Sequence, residues 1–576
     1  RIKTALSDRT KLLHFLYKGG HHITMDYLIK YKGQVLSAAL IVLANVGLQI
    51  LSPKFLSGFI DSAEGGNALF IPGLMITGYF FTVLLQKAAS VLEEYISASL
   101  GGRITNDVRH EMLSHFLDLG MEKHTGYSSG EIMTRLDEDV EGVYEYLRIL
   151  LLKIGTSALL LAGVLIVISL ENPWLALILL AVSILSIGCF KKISDFGTKC
   201  FRRSNQAAAV FNGILKDKLD NLVEIHLAAA DGPALLSLKE AIYKRFGESL
   251  PAGLIYGRLW GASTVMETIS IGCTLLITAI FWDRGILSLG TAYLFYNYVN
   301  LIFQPLNSFR NYLGELQNAG ARKKRVEGFL EIPTEKRERC LPVPADFSSI
   351  TVENLYFSYD SENEVLHNIS FSVKAGEHVG LMGETGCGKT TLVKLLAGLY
   401  HCQHGAVLVN GIPVEKFDPQ KLRREIVYCP QKVQLMHASL RDNITLFDSR
   451  IRDENILAAI NALELTSWFA GFPQGLDTPL SSGEGSISSG EARFVNIIRL
   501  FLRSPQVIIL DEITANLDKQ RERDLDRAIR NLTKNKTVIM ISHHAEILEP
   551  ESRILYMKKG RIQKQENCKG GIPDGV

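Results

Sequence analysis

The segment "GLMGETGCGKTT", Gly380–Thr391, governs the reading of the rest of the chain. It follows the apolar run at Glu377–Met382 and leads into "LVKLLAGLY", a stretch with helical apolar spacing. Gly383, Gly388, Lys389 and Thr390 hold the G-x4-G-K-T pattern, with Glu384, Thr385, Gly386 and Cys387 between them. A strand, a glycine-rich turn and a helix start in that order form a P-loop. Glycines let backbone N–H groups close around phosphate oxygens, and the helix N-terminus adds positive potential. Lys389 is expected to reach the β- and γ-phosphates and Thr390 to offer its hydroxyl to Mg²⁺, with Thr391 beside it in the nucleotide set.

A second motif agrees with the first. In "VIILDE" four apolar residues, Val507–Leu510, bring Asp511 and Glu512 to a strand end. Two acids there are electrostatically awkward without a cation, so Asp511 reads as an Mg²⁺ holder acting through water. Glu512 reads as the group that polarises an attacking water. Upstream lies Ile487-Ser488-Ser489-Gly490-Glu491, which is similar to a phosphate-sensing motif usually richer in glycine.

The full chain has 576 residues, too many for one ordinary domain. Its net charge of +2 mixes both signs, and no nucleic-acid partner is expected. A mean hydropathy of +0.13 beside 21% charged residues divides the chain between lipid and water. Eight cysteines show neither metal-ligand spacing nor a paired framework, and read as free thiols. The first residues contain no apolar core of signal-peptide type.

Six stretches are long and apolar enough for a bilayer: about Gln34–Ile60, Ala68–Gln86, Lys153–Leu170, Asn172–Phe190, Leu259–Trp282 and Gly285–Phe309. The short connections are poor in positive charge, whereas the long ones, about Ser99–Tyr146 and Lys191–Leu250, are rich in Lys and Arg. The positive-inside rule then puts the long loops and both termini in the cytoplasm. Each long loop keeps helical periodicity and is broken once, at Lys123–Gly130 and at Ala229–Ala234. Such helix pairs make cytoplasmic levers able to touch a soluble partner.

Residues 1–330 are therefore expected to form a helical transmembrane domain, 331–347 a charged, proline-bearing linker, and 348–576 an α/β domain. Taken together, these features resemble a half-subunit of the ABC transporters with the exporter-type fold. The resemblance implies ATP and Mg²⁺ as cofactors and ATP hydrolysis coupled to transport. It gives Tyr359 in "LYFSYD" as the aromatic that stacks on adenine and Gln431 in "VYCPQ" as an Mg²⁺ and coupling residue. Asp518 in "ANLD" matches the D-loop, and His543 in "MISHH" the switch histidine, with His544 as the alternative.

In this family the signature, commonly LSGGQ, meets ATP held by the other subunit. Ser488 and Gly490 keep a hydroxyl and a backbone donor here. Ser489 loses the freedom of glycine at positive φ, and Glu491 sets an anion near a polyanion. The expected unit is a heterodimer in which one composite site hydrolyses ATP and the other mainly holds it.

Glu267 is an isolated acid in the fifth span, a costly placement that suggests a cavity or a helix contact. Tyr293, Tyr296, Asn297, Asn300 and Gln304 of the sixth span are candidates for cavity lining or for helix packing. Lys54 reads as snorkelling to the interface. The expected protein is a multi-pass transporter of a bacterial inner or plasma membrane, exporting a small molecule, lipid or peptide. An exporter-fold importer of a siderophore or metal chelate, and a membrane ATPase that senses or regulates, stay open beside it.

Overall fold

The structure, a computed structural model, describes residues 23–64, 70–335, 340–344, 346–359, 363–480, 487–513, 519–542 and 552–567. The chain divides into two compact units, residues 1–114 with 129–332, and residues 115–128 with 333–576.

The first unit is built on six long helices: α1 (Lys32–Glu64), α2 (Phe70–Leu117, whose last turn enters the second unit), α3 (Ser129–Glu171), α4 (Pro173–Asp220), α5 (Asp231–Asp283) and α6 (Leu289–Leu330). Helices α1, α2, α3 and α5 each carry a stretch long and apolar enough to cross a membrane. The apolar part of α4, Pro173–Cys189, is shorter, and α6 is the most polar of the six. At 48 and 53 residues, α4 and α5 extend roughly 70–80 Å, far more than the bilayer core needs. The lever helices read from the sequence are therefore present. The second break falls at Ala228–Ala230, where Ala229 has φ +52°.

The core of this unit gathers Val42 and Val46 of α1, Val164 and Ile168 of α3, Leu175 and Leu179 of α4, and Phe295, Tyr298 and Phe303 of α6. Polar contacts fix the register of the helices. The Tyr298 hydroxyl donates to the Ile50 carbonyl at 3.0 Å, one turn before Pro53. Asp61 accepts from the Gly290 amide at 2.7 Å and the Ser288 hydroxyl at 2.9 Å, tying the end of α1 to the start of α6. Lys54 lies 3.9 Å from Glu171, so its charge is met at the end of α3.

Helix α3 contains two π-helical turns, Arg135–Asp139 and Arg148–Ile154. The first carries Asp139, whose side chain is 4% exposed and accepts a forked pair of bonds from Arg325 of α6 at 2.8 and 2.5 Å. The second lies against the cavity described below.

The second unit holds a six-stranded sheet. In chain order its strands are β3 (His378–Gly383), β5 (Ile426–Cys429), β6 (Val507–Asp511), β7 (Thr537–Ile541), β8 (Arg553–Lys558) and β9 (Arg561–Asn567). They lie in the order β9-β8-β3-β7-β6-β5, all parallel except β9. Central strands β6 and β7 are buried at every position, the physical reason for their unbroken apolar runs. A second, antiparallel sheet contains β1 (Ser349–Ser358), β2 (Glu364–Lys374) and β4 (His404–Val409). Leu341 already pairs with the 416–417 segment, and Val343 and Phe347 pack on the core, so the later half of the expected linker is structural.

Residues 115–128, which the sequence reading left inside the membrane domain, group with this second unit. The short helix Met121–His124 sits there. The Glu335 amide donates to the Asp118 carbonyl at 3.0 Å, Gly120 lies against the Glu335 side chain, and Arg423 pairs with Glu335 at 2.8 Å. The Tyr400 hydroxyl bonds to Thr125.

Candidate nucleotide site

The parallel register sets Leu381 of β3, Ile541 of β7 and Asp511 of β6 at one level, so the loops that follow leave from one edge of the sheet. This is where open α/β sheets bind ligands. The loop after β3 ends at Gly388, whose φ of +103° only glycine adopts without strain. A side chain there would also stand 2.8 Å from Leu366. Helix α7 (Lys389–Leu396) begins at once, anchored by buried Leu392, Leu395 and Leu396. The Lys389 ammonium is buried and donates to the carbonyls of Gly383 at 2.6 Å and Glu384 at 3.0 Å. It thus sits inside the loop whose amides would face phosphate.

Asp511 is buried at the end of β6 and receives the Tyr428 hydroxyl at 2.8 Å and the Thr390 hydroxyl. Burial holds its carboxyl above the usual carboxylate range, the two hydroxyls pull against that, and neighbouring Glu512 adds to the rise. Among the described residues it has no ion pair. A buried carboxylate beside a hydroxyl and lacking a protein cation is a hard-oxygen donor set, which fits Mg²⁺. Glu512 follows at φ +46°, a strained conformation for glutamate that turns it away from the strand line. The Gln431 amide donates to it at 2.7 Å. So Thr390 joins Asp511, as read from the sequence, while Gln431 lies on Glu512.

Tyr359 is half exposed, with its hydroxyl 3.1 Å from that of Thr391. Its ring meets those of Phe357 and Tyr400 edge-on, at 5.0 and 5.4 Å. Ser488 caps helix α8 (Ser489–Arg503). Its hydroxyl accepts from the Glu491 amide at 3.3 Å, and Glu491 accepts from the Ser488 amide at 2.9 Å. Arg521 reaches both, Glu491 at 3.2 Å and the Ser488 hydroxyl at 3.2 Å.

Two expectations for this motif change. The Glu491 anion is spent on the capping box and an arginine, so it does not stand bare toward a polyanion. Ser489 opens a helix and is not at positive φ, so the loss of glycine costs no backbone strain; what remains is the added side chain. Asp518, His543 and His544 lie outside the described residues. Tyr428 and Arg521 were missed in the sequence because neither falls in a motif position that states its role.

The family model for the ABC transporter transmembrane region matches residues 35–306, and that for the ABC transporter matches residues 366–515. The chain is an ABC transporter, a half-transporter of the exporter type. The ABC transporter ATP-binding protein YfiC of Bacillus subtilis is 25% identical over 556 residues, covering 95% of this chain and 91% of YfiC. The ATP-dependent lipid A-core flippase of Chromobacterium violaceum is 24% identical over 552 residues, with 94% and 93% covered. The solved structure of a bacterial Atm1-family ABC exporter with ATP bound shares the fold, with a TM-score of 0.80, 21% identity and coverage of 93% and 95%. ATP hydrolysis coupled to transport follows from membership.

Within the transporter's membrane unit a cavity of about 300 Å³ lies between α1, α2, α3 and α6. Of the six candidate substrate residues, Gln304 lines it and the other five do not. Glu267 is half-buried and accepts from Asn307 of α6 at 3.4 Å, the helix-contact alternative. Asn297 and Asn300 donate to backbone carbonyls one turn back, those of Tyr293 and Tyr296. The cavity instead gathers Glu93, Glu94, Arg148 and Lys153, charges at or just outside the ends of the expected spans, to which the sequence assigns no role.

Proposed function

We propose that this chain is one half of a heterodimeric exporter whose main hydrolytic site forms between its own P-loop and a partner's signature. The observation that carries the hydrolytic part of this reading is the Gln431–Glu512 contact at the end of β6, beside Asp511 and Thr390. The amide holds a carboxylate, and a carboxylate so held can orient water against the terminal phosphate. Lys389 exchanges its loop carbonyls for phosphate oxygens, and the Tyr359 ring stacks on adenine. Mg²⁺, held by Thr390 and Asp511, would neutralise charge on the triphosphate.

The basic long loops support a cytoplasmic nucleotide unit in a bacterial inner membrane. Heterodimer pairing rests on the sequence at Ser489, a position where family members carry the glycine offered to the partner's ATP. A homodimer would carry that serine in both sites by symmetry. Reconstitution of the chain alone in lipid vesicles tests the pairing. ATP-driven flux that needs a second half-transporter supports it; robust flux from a dimer of this chain with two equivalent sites overturns it. The same flux measured in inside-out vesicles gives the direction.

A further inference from the structure

Most small-molecule pockets are largely apolar with a few polar groups. The cavity between α1, α2, α3 and α6 has the opposite balance, with at least one charged, amide or hydroxyl side chain from every helix that lines it. Its charges are unequally matched. Arg148 is held by Glu145 through two bonds of 2.8 Å. Lys153 is held by Glu315 at 2.8 Å and lies 5.2 Å from the centre of the Tyr312 ring. The two cations are thus met by carboxylates of the protein. Among the described residues Glu93 accepts only a neutral amide, that of Asn45 at 2.9 Å, and Glu94 makes no hydrogen bond or ion pair, its charge reaching Arg148 only at longer range.

Two further observations point to a ligand. The Thr156 hydroxyl, on the same wall, is buried without a hydrogen-bond partner, an expensive state for a polar group. The wall itself contains the π-helical turn Arg148–Ile154, a rare irregularity that concentrates at functional sites. An anion entering here would have to break the Arg148 and Lys153 pairs, whereas a cation finds its counter-charges waiting. A volume of about 300 Å³ has room for a small head group.

We propose that this cavity receives a positively charged amine or guanidinium group of the transported substrate, with Glu93 and Glu94 as counter-charges and Thr156 and Gln304 as hydrogen-bonding partners. The assignment rests on the transport reading above. It is tested on the full chain in phosphatidylcholine nanodiscs, by fluorescence titration with the primary amine dansylcadaverine and its neutral N-acetyl derivative. The amine is expected to bind at least about tenfold more tightly, the ratio that one charge-assisted hydrogen bond supports.

E93Q/E94Q should bring that ratio to within about twofold, and E93D/E94D should keep it. Equal binding of both probes to the wild type, or a preference that survives E93Q/E94Q, overturns the site. If the double variant does not fold, E94Q at an exposed position serves, and an unchanged ratio there overturns the proposal equally. ATP-driven uptake of dansylcadaverine is measured separately, in vesicles holding this chain together with its paired half-transporter. Carboxylate-dependent binding without any flux upholds the site and counts against the transport reading; flux with a carboxylate-independent preference does the reverse.

Discussion

In the nucleotide-binding unit the reactive side chains leave from the ends of neighbouring parallel strands. Asp511 and Glu512 are consecutive in sequence, and the loop from Gly383 to Thr390 is a single continuous turn. In the membrane unit the cavity takes one to several side chains from each of four helices, and Gln304 lies more than 200 positions from Glu93. Backbone geometry places the first set, and side-chain pairing between helices holds the second. One construction tolerates almost no change in its own residues, while the other can be retuned one wall at a time.

The largest expected effect falls on the strand-end site. Glu512→Gln should lower ATP turnover by about 10²-fold or more, the scale of losing a positioned acid–base group, while nucleotide binding persists. A near wild-type rate in the purified, correctly paired complex would show that backbone placement of Glu512 is not what drives hydrolysis.

The second effect probes pairing between helices. Arg325→Ala leaves the buried Asp139 carboxylate without its fork and should cost about 2 kcal/mol, less than for a fully buried pair because the Arg325 side chain is 52% exposed. Asp139→Ala returns Arg325 to water and should cost about half as much by the same accounting. Thermal unfolding of the two variants side by side checks the order; a reversed order would mean the arginine is the strained partner.

A smaller shift should appear with pH at Asp511. Its folded-state carboxyl lies above the ordinary range, so ionisation costs the nucleotide-free protein stability, and that cost is relieved as pH falls. Asp511→Asn should therefore melt above the wild type at pH 7 without nucleotide, with the gap closing as pH approaches about 4. A gap that does not depend on pH would remove the carboxylate as its cause.

The smallest effect is expected at the signature. Glu491→Gln preserves a capping box and should leave turnover within about twofold, whereas Glu491→Ala should cost about 1 kcal/mol of helix stability. A several-fold rise in turnover with Glu491→Gln would restore the view that the anion itself repels nucleotide.

Much of the nucleotide site was legible because its chemistry is local: a glycine pattern, a strand of four apolar residues and two acids each declare a conformation. The apolar runs of α1, α2, α3 and α5 were legible for the same reason. Glu491 was misjudged because its neighbour Arg521 is thirty positions away, on α9 (Lys519–Thr533). The cavity was largely missed because Glu93, Glu94, Arg148 and Lys153 lie at or just outside the ends of the expected spans, where a single charge carries no signal of its own. Only the packing of α1, α2, α3 and α6 turns them toward a common space. Glu267 drew attention for the opposite reason, being conspicuous in its own span while its role is a contact with Asn307.

The grouping of residues 115–128 with the nucleotide-binding unit has a consequence for synthesis. The short helix Met121–His124 leaves the ribosome about 200 residues before Glu335 and about 300 before Arg423, on which that residue leans. At ordinary elongation rates the gap is on the order of tens of seconds. During that time the tip has no site to occupy, because the surface it joins has not been made. A piece that must wait is best kept small and water-tolerant, and this one is a four-residue helix, Met-Glu-Lys-His, with no buried side chain. Building this unit then includes the capture of an early loop by a late domain.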